Sequence, residues 1–319
     1  MFLICGECLF DVFPSDSGES GDAVSLRAVP GGSPYNVAIG LARLGCAASL
    51  ATAISDDWLG QRLTSVLRRE GVDLSYVRQT ARSTPLALVE IDPAGGPQYA
   101  FHGLREMHFH PTVDFLRDSR VTGIHVGSIA IVSDHSSSPL LALAEGAEGR
   151  LVSFDPNVRL AVEPDVQLWR RKVEQFARHA HLIKVSVEDL EAIHGYGCAA
   201  EHIATSWLSD RTKIAVLTRG DQGYVAFAAD GTRVEGRAAP ASVVDTVGAG
   251  DTFLAALLCW LDENEVASPT GIASLSADQM RSMCDFAAAA AGVTCSRQGP
   301  DLPRRSELPV ASAENVRGL

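Results

Sequence analysis

No apolar run in this 319-residue chain approaches the ~20 residues a membrane-spanning helix requires. The opening MFLICGECLFDVF has no basic segment ahead of its apolar residues, so neither a signal peptide nor a membrane span is expected, and a cytoplasmic location is. Positive charge is also scarce. Lys and Arg number 27 against 39 Asp and Glu, and the net charge of −12 argues against nucleic acid or an anionic membrane as partner. The seven cysteines are odd in number and scattered, without a disulfide framework. Cys5-Gly6-Glu7-Cys8 is formally CxxC, but it falls in an apparent first strand, where residues three apart face opposite sides. No second CxxC or paired-histidine motif completes a zinc site, and His108-Phe109-His110 reads as loop or strand histidines. No GxxxxGK[ST] occurs, and the glycines near residue 250 do not form GxGxxG, so the P-loop and Rossmann readings fall away.

What the chain does have is Asp245-Thr-Val-Gly-Ala-Gly-Asp251, followed directly by the apolar TFLAALLCWL. Gly248, Ala249 and Gly250 let consecutive N–H groups point one way, and the N-terminus of the ensuing helix adds unpaired donors and a partial positive charge. This is a cradle for an anion, most simply a phosphoryl group. A carboxylate beside it repels the ligand unless it has a task, and the task at hand is to take a proton from an attacking hydroxyl. Taken alone, Asp251 reads equally well as a helix N-cap. A second glycine cluster, Gly31-Gly32-Ser33-Pro34-Tyr35-Asn36, runs into the helical pattern Val37–Gly45 and weights the reading toward a kinase.

GGSPYNVAIGLARLG and DTVGAGDTF together resemble the two signatures of the ribokinase-like (phosphofructokinase-B-type) carbohydrate kinases. Further matches at GECLFD (6–11), DPNVR (155–159), KVSVED (184–189) and LTRGDQG (217–223) extend the resemblance over nearly the whole chain. One departure is Ser55 in SDD, where the family usually has glycine, and a slightly altered turn is expected there. GE-x-L-x-D and DPNVR are most similar to fructokinases and 2-keto-3-deoxygluconate kinases.

The coarse pattern agrees. Strand-like runs at 2–5, 47–53, 121–127, 151–154, 181–185 and 214–217 alternate with helix-like stretches at 36–44, 57–70, 136–146, 166–178, 188–194, 199–208, 251–263 and 278–292. The expected fold class is α/β, an open and mostly parallel sheet with helices on both faces. Residues 12–30 and 85–105 carry short alternating patterns that read as antiparallel strands, with Pro93–Pro97 as a turn. By resemblance these form a small lid over the sugar on a single domain spanning 1–319, a lid that some relatives share across a homodimer. Asp16–Gly21 and 262–277 are the loop candidates.

The resemblance also implies roles residue by residue. Asp251 is the general base, and the backbone of Gly248, Ala249, Gly250 and Asp251 is the anion hole. Asp11, Gly31, Gly32 and Asn36 grip sugar hydroxyls. Arg159 lies near the sugar or the transferred phosphate, with a structural pair to Asp155 as its alternative. Tyr99 and Phe101 share one face of a lid strand, over the sugar or within the lid core. ATP falls to Thr218, Gly220 and Gly223, with Lys184 on phosphate, Asp189 reaching Mg²⁺ through water, and the alanine-rich 286–291 segment around Ala287 as an adenine wall or simple helix packing. Asp245 and the Val247 backbone match a K⁺ site of several relatives. Arg105 in HGLREMHFHP departs from the fructokinase pattern and is suited to a carboxylate on the acceptor. Three functions follow: a fructokinase; a kinase of the same fold for 2-keto-3-deoxygluconate, a ribosyl compound or a nucleoside; and a non-catalytic sugar- or nucleotide-binding regulator.

Overall fold

Short apolar strands alternate with amphipathic helices from the first residues onward. The computed structural model describes residues 1–15, 24–91, 97–104, 109–239 and 242–308. The first half runs β1 (Phe2–Cys5), β2 (Leu9–Pro14), β3 (Leu26–Gly31), α1 (Ser33–Arg43), β4 (Ala48–Ser55), α2 (Trp58–Arg69), β5 (Val77–Thr80), β6 (Leu86–Ile91), β7 (Pro97–His102) and β8 (Gly123–Gly127). It continues with α3 (Ser137–Glu145), β9 (Leu151–Asp155), α4 (Val166–Ala177), β10 (Leu182–Ser186), α5 (Val187–His194) and α6 (Ala200–Ser206). The chain then adds β11 (Ile214–Thr218), β12 (Tyr224–Ala228), β13 (Arg233–Gly236), α7 (Ala249–Glu263), α8 (Pro269–Ala273) and α9 (Ala277–Cys295).

Nine strands form one sheet in the order β13-β12-β11-β10-β9-β8-β1-β4-β5. From β5 to β11 every pairing is parallel; β12 and β13 extend the far edge antiparallel. Phe2 and Ile4 of β1 enter the core beneath α1, α2, α7 and α9, whereas Leu3 and Cys5 enter the core beneath α3, α4 and α5. That two-residue alternation between two buried faces is what a doubly covered parallel sheet demands. Cys8, just past β1, belongs to the first core and Cys5 to the second, so the CxxC thiols lie on opposite faces. Strand order reverses at β1, flanked by β4 and β8. In open α/β sheets the crevice outside the carboxyl ends at such a reversal is the ligand site.

β3, β2, β6 and β7 form a separate four-stranded sheet, antiparallel except for the β2–β6 pair. The strands expected in 12–30 and 85–105 are thus present, with β2 beginning earlier, at Leu9. The loop at Asp16–Gly21, the 93–96 part of the turn, Arg105, His108 and the Tyr99 side chain lie outside the described residues.

Two departures from the sequence pattern bear on the site. α7 begins at Ala249 behind an N-cap at Gly248, which has φ 80°, so Asp251 lies within the first helical turn and is not the cap. α1 begins at Ser33, with Pro34 in its first turn, which brings Ser33 and Asn36 onto one helix. Every residue of α7 from Thr252 to Leu261 is buried, which marks a helix enclosed on all sides. It packs between α1 and α9. At Gly40 of α1 a Cβ would lie 2.8 Å from the Ala255 Cβ, so glycine there lets α1 and α7 run close together with their N-termini side by side. Elsewhere, the 262–277 stretch holds the short helix α8, capped by Ser268. At Ser55 the hydroxyl accepts a 3.0 Å bond from the Asp57 N–H, so the serine supports its turn.

Candidate active site

The paired helix starts deliver their polar residues to one point. Ser33 Oγ donates to one oxygen of Asp251 at 2.6 Å, and Asn36 Nδ2 donates to the other at 2.8 Å. Bonds to both oxygens fix the plane of the carboxylate. Around it the helix mouth offers its first-turn amides. The Ala249 N–H is turned back onto the Thr246 carbonyl at 3.2 Å, while Gly250 and Asp251 have no carbonyl partner among the described residues. Of the four amides expected in the anion hole, only that of Ala249 is bonded to a carbonyl among the described residues. Gly248 must be glycine, since a Cβ there would lie 2.8 Å from Pro300 Cβ on top of its positive φ. Asn36, expected on a sugar hydroxyl, gives one N–H to Asp251. Ser33, assigned no role from sequence, shares that task, and its position three residues before Asn36 at a helix start was the available signal.

Behind the amides lies a buried ion pair. Lys184, in the middle of β10, is 4% exposed and donates at 2.8 Å to Asp155, at the end of β9 and 1% exposed. Its Nζ sits 3.0 Å from where a Gly250 Cβ would start. Burial pulls the ammonium down, and Asp155, Asp189 and Asp251 carry it above its usual value, so it is charged. Asp155 thus pairs with Lys184, which removes the alternative of an Asp155–Arg159 pair. The Arg159 side chain makes one hydrogen bond, to the Val158 carbonyl at 2.9 Å, and no ion pair among the described residues.

On the lid side, Asp11 of β2 approaches so closely that a Cβ on Gly31 would lie 2.1 Å from its Oδ2. Burial and the Asp251 charge push the Asp11 carboxyl up to about 6, with Arg159 opposing them. Asp11, Arg159 and Asp251 therefore share one electrostatic field. Gly32, at φ 103°, packs on the Glu7 carbonyl, 2.9 Å from its Cβ position. Phe101 of β7 packs against Leu9, Ala87, Leu104, Ile129 and Val162, the lid-core alternative.

Glu7, matched in GECLFD but given no role, is half-buried just past β1, with its carboxylate turned inward. Its Oε1 accepts from Ser128 Oγ at 2.6 Å, and its Oε2 has no partner among the described residues. Burial pushes the carboxyl up to about 7, against the Ser128 bond and the Arg159 charge. A carboxyl raised above its unfolded value stabilises the fold fully below that value and loses the contribution as pH rises through the folded one. Glu7→Gln has no such titration. Its stability relative to wild type is expected to climb between pH 4.5 and about 7, by on the order of 3 kcal/mol. Denaturant unfolding at pH 5 and pH 8 checks this; a constant difference between the two proteins would refute it.

The nucleotide side is less complete. Gly220 and Gly223 have φ 54° and 87°, and a Cβ on Gly223 would lie 2.2 Å from the Gly236 carbonyl, so the loop after Thr218 requires glycine. Asp189, expected to reach Mg²⁺ through water, also makes structural bonds. Its Oδ1 accepts the Val158 N–H at 2.7 Å and its Oδ2 the Ser186 hydroxyl at 2.8 Å within the α5 capping box, so both oxygens join structural elements. A water-mediated metal contact has only their remaining lone pairs. Ala287, on α9, is fully buried in the core beside α1 and α7, as the helix-packing alternative has it. The apolar surface missed from sequence is Val243 and Val244, exposed at 65% and 63% beside the end of α9. Asp245 accepts the Val247 N–H at 3.0 Å and the Gly299 N–H at 2.8 Å, tying the strand-like approach of α7 to the segment after α9. No cluster of three or more His, Cys, Asp or Glu suited to a metal occurs among the described residues.

Comparison with known proteins shows the family and the fold. The model of the pfkB family of carbohydrate kinases matches residues 1–306. A fructokinase of Rhizobium leguminosarum bv. trifolii is 32% identical over 288 residues, covering 88% of this chain and 86% of the relative. A probable fructokinase-4 of Arabidopsis thaliana is 31% identical over 317 residues, covering 95% and 94%. Among solved structures, a fructokinase with bound ATP from Xylella fastidiosa superposes with a TM-score of 0.83 at 21% identity, covering 97% of this chain and 94% of that one.

Proposed function

The chain belongs to the pfkB family of carbohydrate kinases, and from that premise we propose that it transfers the γ-phosphoryl group of ATP to a hydroxyl of fructose. One observation carries the mechanism: Ser33 and Asn36, from the upstream glycine cluster, converge on Asp251 at a helix mouth with free amides. Asp251 takes the proton of the acceptor hydroxyl as its oxygen bonds to phosphorus. The Gly250 and Asp251 amides and the Lys184 ammonium meet the charge that spreads over the transferring group, which is where phosphoryl transfer needs the protein most. Asp11 and the backbone at Gly32 take acceptor hydroxyls, and Arg159 supplies a guanidinium with open donors. The nucleotide lies along the Thr218–Gly223 loop, its base toward Val243 and Val244. Mg²⁺ fits as an ion carried by the phosphates and water, where it screens their charge; the described residues offer it few ligands of their own. The Asp245–Val247 turn is the place for K⁺.

The whole chain acts as one domain, with the four-stranded sheet as a lid over the acceptor. Val24, just before edge strand β3, and Leu26, at its start, are exposed at 73% and 56% and support lid-to-lid pairing of two copies. No helix among the described residues is long and apolar enough to cross a membrane. All seven cysteines are free, which supports the reducing cytoplasm as its location.

The unpaired guanidinium of Arg159 favours one second reading, an acceptor that carries a carboxylate, such as 2-keto-3-deoxygluconate. Thermal unfolding with fructose, ribose and 2-keto-3-deoxygluconate separates the two. A bound acceptor stabilises by RT ln(1 + [L]/Kd), about 2.7 kcal/mol at a hundred times Kd. The largest shift is expected with fructose. A larger shift with the keto acid would reassign the acceptor and leave the mechanism in place.

A further inference from the structure

Glu7 lies at the β1 end with one carboxylate oxygen out of solvent and no part in the transfer step, and its surroundings are specific. Ser128 follows β8 at φ 55° and Asn157 follows β9 at φ 40°, both in the left-handed region that costs non-glycine residues. The two are joined: Asn157 Nδ2 donates at 3.0 Å to Ser128 Oγ, which donates at 2.6 Å to Glu7. In its ionised form the Glu7 carboxylate only accepts, so the Ser128 proton points to Glu7 and leaves the hydroxyl oxygen to receive Asn157. The chain of bonds therefore has a fixed direction. Two residues past Asn157 stands Arg159, and the intervening Val158 is pinned by Asp189 at 2.7 Å. Glu7 also forms the floor beneath Gly32, immediately before Ser33. Its free oxygen has room for solvent: a cavity of about 40 Å³ lies among Glu7, Thr52, Ser133 and Ser136, more than the roughly 10–15 Å³ a water requires.

We infer that Glu7 is a positioning residue that acts through Ser128 and Asn157 to hold the DPNVR turn and its Arg159 in place for the acceptor. Strained backbone at two strand ends, bound to one buried carboxylate across the reversal point of the sheet, is an arrangement that fixes a side chain more than it stabilises a core. The inference rests on the assignment of Arg159 to the acceptor side, and the test separates the two.

Steady-state constants for fructose and ATP are measured on Glu7→Ala, Ser128→Ala, the double variant, Glu7→Gln and Arg159→Met, each with its thermal midpoint as a fold control. Glu7→Ala and Ser128→Ala are each expected to raise KM for fructose about tenfold, the scale of one buried hydrogen bond, with KM for ATP within about twofold of wild type. The double variant is expected to be no worse than either single one, because both break the same chain of bonds. Glu7→Gln keeps an oxygen for Ser128 and is expected to return KM to within about threefold. Additive effects, an equal rise in KM for ATP, or Glu7→Gln as impaired as Glu7→Ala would overturn the relay. Should Glu7→Ala not fold, Ser128→Ala and Glu7→Gln decide alone. Arg159→Met with unchanged KM for fructose would instead overturn the acceptor-side assignment, and the relay's purpose with it.

Discussion

Asp251→Asn lowers kcat by about 10²- to 10⁴-fold, the usual consequence of removing a general base, and leaves the affinity for ATP close to that of wild type. The variant is nearly isosteric. Its amide oxygen still accepts from Ser33, and Asn36 can turn its own amide to offer oxygen to the new N–H₂, so the helix pair keeps its contact. What disappears is the acceptor for the sugar proton. The free Gly250 and Asp251 amides are backbone groups and remain. Titration calorimetry with ATP beside a turnover assay reads both halves. Wild-type turnover would remove Asp251 from the chemistry; loss of ATP binding together with turnover would make it a structural residue.

The second large effect concerns the ion pair behind the anion hole. Lys184→Met leaves Asp155 buried without a countercharge, and breaking such a pair costs roughly 3–5 kcal/mol of stability. It also removes a cation from beneath Gly250, and kcat is expected to fall by at least about 10²-fold. Lys184→Met with Asp155→Leu separates these consequences. An apolar pair of similar volume restores most of the stability, because no charge is left unpaired. It does not restore turnover, since the ammonium is still missing. Recovery of both in the double variant would show that the pair serves the fold alone, and denaturant unfolding with the same assay distinguishes the cases.

How far the sequence spoke can be judged from these residues. The strands of the central sheet announce themselves as uninterrupted apolar runs because both faces are covered, as in FLIC at β1 and LVSFD at β9. VRQT and RVEG give no such signal, being short and half exposed at the edges, and β5 and β13 were accordingly not foreseen; β12, YVAFA, is apolar and buried and was missed all the same. Glycine was informative wherever backbone meets backbone or ligand, as at Gly248 and Gly223. Partnership was not legible. Ser33 and Asp251 lie 218 positions apart, and only the close crossing allowed by Gly40 shows that Asn36 faces the base. The same holds for Asp189 and Ala287. Residue type suited each to the nucleotide, while the capping bonds of the one and the complete burial of the other show only in the structure. Glu7 was visible as a letter in GECLFD, but its meaning depends on two left-handed residues at the ends of distant strands.

The most direct measurement is transfer of labelled γ-phosphoryl from MgATP to fructose, with wild type and Asp251→Asn run side by side. Label appearing on the sugar with wild type and falling by about 10²-fold or more with the variant is the expected result. Equal transfer by both proteins, or none by wild type to any sugar that raises its unfolding temperature, would contradict a kinase whose base is Asp251.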